Sequence, residues 1–127
     1  MKPSIAEQIT ISVDTQYIPE HPAASKKKFA FAYEISIKNS GSETVQLINR
    51  FWLITNADGE KTEVQGAGVI GEQPVIASGK SYKYTSGAVL ETPVGTMEGH
   101  YEMKCESGEL VRVPIPVFRL AVPNAIN

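Results

Sequence analysis

Val64–Gly87 reads VQGAGVIGEQPVIASGKSYKYTSG, and the fold turns on this stretch. Gly66, Gly68 and Gly71 spell G-x-G-x-x-G, the spacing that lets backbone approach a pyrophosphate. The dinucleotide fold also needs a helix after that loop, so that the helix N-terminus faces the phosphates. Here Glu72-Gln73-Pro74-Val75-Ile76 follows. Pro74 drives Gln73 toward extended geometry, and no helical apolar period comes after it. The stretch therefore predicts a glycine-bent connection between β segments. Two roles stay open for it: a tight irregular crossing or bulge, or an amide-lined anion site helped by Lys80, Thr85 and Ser86.

Outward from that loop the apolar period is two, the period of strands. Ile9, Ile11 and Val13 alternate with polar residues, as do Phe29, Phe31, Tyr33, Ile35 and Ile37 with Ala30, Ala32, Glu34 and Ser36. Pro19-Glu20-His21-Pro22 reads as a loop between them. Val45–Thr55 is a third strand, apolar on both faces through Phe51-Trp52-Leu53-Ile54, which suits a covered central strand or an exposed patch. Asn56-Ala57-Asp58-Gly59 turns the chain, and a left-handed Gly59 sets Asn56 opposite Glu60 and Trp52 opposite Val64. Tyr82 and Tyr84 mark a later strand. Val89–Gly95, with Pro93, reads as a connection.

The last hairpin has one favoured register. A left-handed Gly108 sets Cys105 opposite Glu109, Met103 opposite Val111 and Tyr101 opposite Val113, with Glu102 meeting Arg112 as a charge pair. A slip by one residue would put Glu102 beside Val113. Pro114 and Pro116 lack amides on one side of their strand, so Leu110–Phe118 is expected at a sheet edge. Seven or more short strands without a helix point to an all-β antiparallel sandwich or barrel. The 127 residues are expected to form one domain, residues 1–127.

The formal net charge of -2 argues against sequence-independent nucleic-acid binding, which relies on clustered positive charge. Lys26-Lys27-Lys28 is the one basic run and reads as a solvated loop. A single cysteine forbids an intrachain disulfide and suits a reducing compartment. Met1-Lys2-Pro3-Ser4 leads toward a strand with no apolar leader region, and no apolar run approaches a membrane span. The expectation is a cytoplasmic protein without nucleic-acid or membrane partners, as a monomer or homo-oligomer.

Chemistry-bearing sets are sparse. His21, His100 and Cys105 lack ligand spacing, and on one strand His100 and Cys105 face opposite sides. Cys105 shares the predicted core face with Met103 and Tyr101, the setting of an inert buried thiol. No G-x-S-x-G elbow occurs. No catalytic set, metal site or cofactor is expected. Arg50, Phe51, Trp52, Tyr82 and Tyr84 are residue types that anchor interfaces, although a core role suits Trp52 better.

Beyond single motifs, the combination Gly66-x-Gly68-x-x-Gly71-Glu72-Gln73-Pro74, Tyr84-Thr85-Ser86-Gly87, Gly99-His100-Tyr101 and Ile115-Pro116-x-Phe118 resembles the bacterial ApaG family (also called CorD). The likeness also takes in NRFWLITNADGE and runs over essentially the whole chain. It implies an immunoglobulin-like, fibronectin type III-like β-sandwich with no established catalysis. It further implies a genetic link to cobalt resistance and magnesium efflux, interaction roles like those of related domains in F-box proteins and a polymerase-interacting protein, and nucleotide or pyrophosphate binding for the glycine motif. The leading expectation is a non-enzymatic module that binds another protein. Its surface would join Gly66, Gly68, Gly71, Glu72, Gln73 and Pro74 to Tyr84, Thr85, Ser86, Gly87 and Arg50. The alternatives are a weak phosphate or pyrophosphate ligand at the glycine loop, and direct binding of a divalent cation.

Overall fold

The computed structural model describes residues 4–123. The chain forms β1 (Ile9–Tyr17), β2 (Phe29–Asn39), β3 (Val45–Asn56), β4 (Lys61–Ala67), β5 (Val75–Ile76), β6 (Ser81–Leu90), β7 (Val94–Lys104) and β8 (Leu110–Ala121). Two short 3-10 segments, Ala6–Gln8 and Pro22–Lys26, are the helical parts among the described residues. The expectation placed on Met1-Lys2-Pro3 lies outside them; from Ser4 onward a 3-10 turn precedes β1.

One sheet runs β1-β2-β6 and the other β4-β3-β7-β8, with β5 beside the start of β3. All pairings are antiparallel. The two sheets pack face to face as an immunoglobulin-like sandwich, with the fourth strand beside the third as in fibronectin type III domains. Strand alternation supplies the core: Phe31, Tyr33, Ile35 and Ile37 from β2 meet Leu47 and Trp52 from β3, Met97, Tyr101 and Met103 from β7 and Val113 and Ile115 from β8. Trp52 packs edge-on against Tyr33 and Phe118, with ring centroids 5.6 and 5.7 Å apart.

The hairpin registers are as read: Asn56 N donates to Glu60 O, Trp52 faces Val64, Cys105 N donates to Glu109 O, and Gly59 and Gly108 have φ of 81° and 91°. Glu102 stands opposite Arg112, but its carboxylate accepts from Asn49 Nδ2 at 3.0 Å, and no ion pair joins it to Arg112. Val89–Gly95 is shorter as a connection than expected. Phe29 pairs with Leu90 and Val94 with Ala121, so strand pairing continues up to the turn around Pro93.

Amide directions alternate along a strand, and the cross-strand bonds fix them. Cys105 points its amide at β8, so Val111, Val113 and Ile115 point theirs back at β7. Arg112, Pro114 and Pro116 thus face outward, and β8 is the last strand of its sheet. The missing proline amides lie on the open edge. Met97 pairs with Phe118 and Gly99 with Ile115, so Pro116 and Val117 share one opposing residue. That bulge moves burial from Val113 and Ile115 to Leu120.

Asn39 is the one buried polar residue among those described. Its Nδ2 donates to Glu43 O at 2.7 Å and Ile76 O at 3.0 Å, and its Oδ1 accepts from Gly41 N at 3.0 Å. It ties the end of β2 to the following turn and to β5.

Candidate functional site

The glycine stretch sits on the edge of β3. β4 and β5 both pair with that edge, and between them the chain leaves the sheet opposite a register shift between Leu47 and Asn49. The carbonyl of Ile48 takes two donors, Gly68 N at 2.7 Å and Gln73 Nε2 at 3.0 Å. Gln46 Nε2 reaches Gln73 O at 3.1 Å, and Leu47 N reaches Pro74 O at 3.0 Å. At the tip, Val69 and Glu72 exchange both backbone hydrogen bonds, at 2.8 and 2.9 Å. Ile70 and Gly71 form the two-residue turn, with φ of 47° and 74°, the type I′ pattern. Gly68 has φ of 62°, and a Cβ there would lie 2.0 Å from Glu72 O. The motif thus builds a miniature hairpin, and β5 follows it where a nucleotide fold would place a helix.

Beneath the hairpin, between the sheets, lies a cleft of about 300 Å³ lined by Arg50, Tyr33, Trp52, Ile70, Tyr84 and Ser86, among others. Arg50 Nη1 donates to Ala67 O at 3.1 Å and Gly68 O at 3.0 Å. Its guanidinium lies over Gly66, where a Cβ would meet Nη1 at 2.8 Å. Both of its acceptors are neutral carbonyls, and no ion pair compensates its charge among the described residues. Tyr33 bonds Ser86, and burial raises its phenol pKa while the Ser86 bond and Arg50 oppose the shift. The Tyr84 and Tyr101 hydroxyls bond each other. Burial raises both of their pKa values, and Arg50 pulls against it. The cleft therefore presents one fixed cation among neutral hydroxyls.

The structure brings together part of the expected set: Gly68, Gly71, Glu72, Gln73, Arg50, Tyr84 and Ser86. Gly66 lies in β4 under Arg50, and Pro74 leads into β5. Thr85 and Gly87 alternate with Tyr84 and Ser86, so they face away from the cleft, on the outer side of the first sheet. Lys80 closes the Ala77–Lys80 turn, its amide donating to Ala77 O at 3.0 Å. Strand alternation also divides the expected aromatic surface. Trp52 is core at 3% exposure, while Phe51 points to the opposite face and stacks on His100 at 5.1 Å. The two border an open groove of about 820 Å³ with Asn49, Gln65, Glu102 and Arg112. Burial and Arg112 lower the His100 pKa, against the pull of Glu102.

Sequence reasoning missed Tyr33 as a cleft residue. Its inward parity was legible, but its place beside Ser86 depends on the pairing of β2 with β6. Of the hairpin amides, Gly68, Val69 and Glu72 are spent on backbone carbonyls; those of Ile70 and Gly71 have no acceptor among the described residues. His21 Nδ1 accepts from Ala23 N at 3.0 Å, capping a 3-10 turn. Cys105 is buried, and burial together with Glu43 and Glu109 raises its thiol pKa. Among the described residues no three His, Cys, Asp or Glu side chains converge, and no helix is long and apolar enough to cross a membrane.

Fold and cleft together define an immunoglobulin-like β-sandwich whose glycine hairpin overhangs an arginine cleft. The ApaG domain family model matches residues 19–105. The chain is 52% identical over 122 residues to Protein ApaG of Proteus mirabilis (strain HI4320), covering 96% of this chain and 98% of that one. It is 55% identical over 127 residues to Protein ApaG of Yersinia pestis (strain Pestoides F), covering 99% and 98%. The crystal structure of the putative ApaA protein from Bordetella pertussis superposes with a TM-score of 0.87 at 44% identity, covering 92% of this chain and 95% of that one. The chain belongs to the ApaG domain family.

Proposed function

We propose that the chain is a non-enzymatic binding module that contacts another protein through the glycine hairpin, the Arg50 cleft and the adjoining part of β6. Through that contact it acts indirectly on cobalt resistance and magnesium efflux. One observation carries the reading: Arg50 is pinned by two neutral carbonyls in a cleft where no carboxylate pairs with it. A rigid, uncompensated cation among hydroxyl donors is a preformed contact point for an anionic group, because little ordering entropy is left to lose. Affinity capture from native extract compares the parent chain with Arg50→Gln and Ser86→Ala. Both variants should melt near the parent temperature and lose a common partner. An unchanged partner set removes the cleft from the reading.

The second reading is a phosphate or pyrophosphate site at the same place. The unbonded amides of Ile70 and Gly71 favour it, as does their closeness to Arg50. Titration with phosphate, pyrophosphate and ATP should then shift the Gly66–Gly71 amide resonances saturably. Still resonances at millimolar ligand exclude it.

A further inference from the structure

Apart from the two-residue β5, four strands lie at the edges of the sandwich, and they differ in how they are guarded against added strands. β8 carries Pro114 and Pro116 outward and a bulge. β4 is short and carries Lys61 and Glu63, and β1 carries Asp14. β6 has ten residues, no proline and Lys83 as its single charge; β1 is as lightly guarded, but of the two only β6 lines the Arg50 cleft. An edge of that kind is a template for pairing.

The cross-strand bonds show which backbone groups it offers. Ile18 N donates to Ala30 O, so the even residues of β2 face β1; Asn39 N donates to Lys80 O, so the odd ones face β6. Tyr33 pairs with Ser86 and Ile35 with Tyr84, so even residues of β6 bond β2. Ser81, Lys83, Thr85, Gly87 and Val89 therefore point both N–H and C=O away from the sheet. All five are exposed, and Gly87 has only backbone to expose. The same strand turns Tyr84 and Ser86 inward to line the Arg50 cleft. A strand added to this edge would lie along the cleft mouth, with alternate side chains directed at the cleft. Arg50 is the one charged residue lining it, and its Nε and Nη2 have no acceptor among the described residues.

We propose that β6 receives an extended acidic segment of another protein as an added strand, with one carboxylate side chain entering the cleft to pair with Arg50. Backbone pairing supplies affinity without regard to sequence, and the cleft selects Asp or Glu at one position. The proposal rests on the reading of the cleft as a protein-contact site and names what that site accepts.

The test uses the full chain and phage-displayed random octapeptides. Selection should enrich peptides with one Asp or Glu flanked by β-branched residues at alternate positions. In the bound state Thr85 and its neighbours among the outward amides of Ser81, Lys83, Gly87 and Val89 should gain exchange protection, while those of Tyr82, Tyr84 and Ser86 are already protected when free. Thr85→Pro removes one outward donor and leaves the bonds to β2 intact; it should weaken the selected peptides at least tenfold. Arg50→Gln should abolish the preference for the acidic residue. No enrichment, enrichment without an acidic position, or unchanged exchange at the five outward amides overturns the proposal, whether or not Thr85→Pro folds. So does sedimentation that shows a second copy of the chain on this edge. Loss of captured partners with Arg50→Gln but not with Thr85→Pro would retain the cleft as a contact site and eliminate strand addition. No loss with either removes both.

Discussion

Ile70 is the residue most at odds with its backbone. A β-branched side chain at φ of 47° is an outlier, and the first position of a type I′ turn ordinarily holds Asn, Asp or Gly. It is also 58% exposed, so core burial does not offset a cost of order 1 kcal/mol. Ile70→Asn should therefore raise stability by about 1 kcal/mol, read as a higher denaturant midpoint at unchanged slope. If the chain uses this face for contact, the same variant should capture less partner. A stabilised variant with full capture would show that Ile70 does nothing at the surface. Nothing in the primary structure foretold this position, because left-handed backbone at an isoleucine contradicts its own propensity. Arg50 was named in advance as an interface residue type, but its use of Ala67 and Gly68 carbonyls arises only once β4 has folded against β3.

At the scale of strands, what was legible was periodicity and turn chemistry. The alternation in residues 29–37 gave facing, and that in residues 99–105, with the Gly108 turn, gave register as well, since a one-residue slip would set Glu102 beside Val113. Pro114 and Pro116 located an edge, because each lacks the donor that a neighbouring strand would need. The register shifts beside Ile48 and at Pro116-Val117 were not legible. A bulge changes which side later residues face, and it is set by partners distant in sequence. Thr85 and Gly87 were grouped with the cleft for the related reason that contiguity along a strand is not a shared face. The edge assignment has a direct check. In native-state hydrogen exchange, Val111, Val113 and Ile115 should be slow and Arg112 fast, and Pro114→Ala with Pro116→Ala should bring concentration-dependent association. A monomer after both replacements would mean that the edge is covered by something other than proline.

For the molecule as a whole, the tyrosines buried between the sheets set an alkaline limit. Tyr33, Tyr84 and Tyr101 each have pKa values raised above the ordinary 10.0, chiefly by burial. Above about pH 10 the unfolded chain has lost these protons while the folded chain keeps them. The unfolded state then binds fewer protons, so stability must fall as pH rises. Chemical denaturation should give a nearly constant midpoint from pH 7 to 8, a first decline near pH 9 as the Cys105 thiol of the unfolded chain ionises, and a steeper one beyond pH 10 that Tyr84→Phe relieves in part. A flat profile to pH 11 would mean that water reaches these phenols.

Asn39 makes the fold depend on the chemistry of one amide group. Its side-chain amide is followed by a serine, and hydrolysis of that amide would leave a carboxylate facing the carbonyls of Glu43 and Ile76 where two donors had been. A dry interior cannot tolerate such a reversal. Conversion to Asp would therefore cost the fold a buried charge or the proton that neutralises it, while Ser40 N, the group that would have to attack the amide, is held on Gln8 O at 2.9 Å.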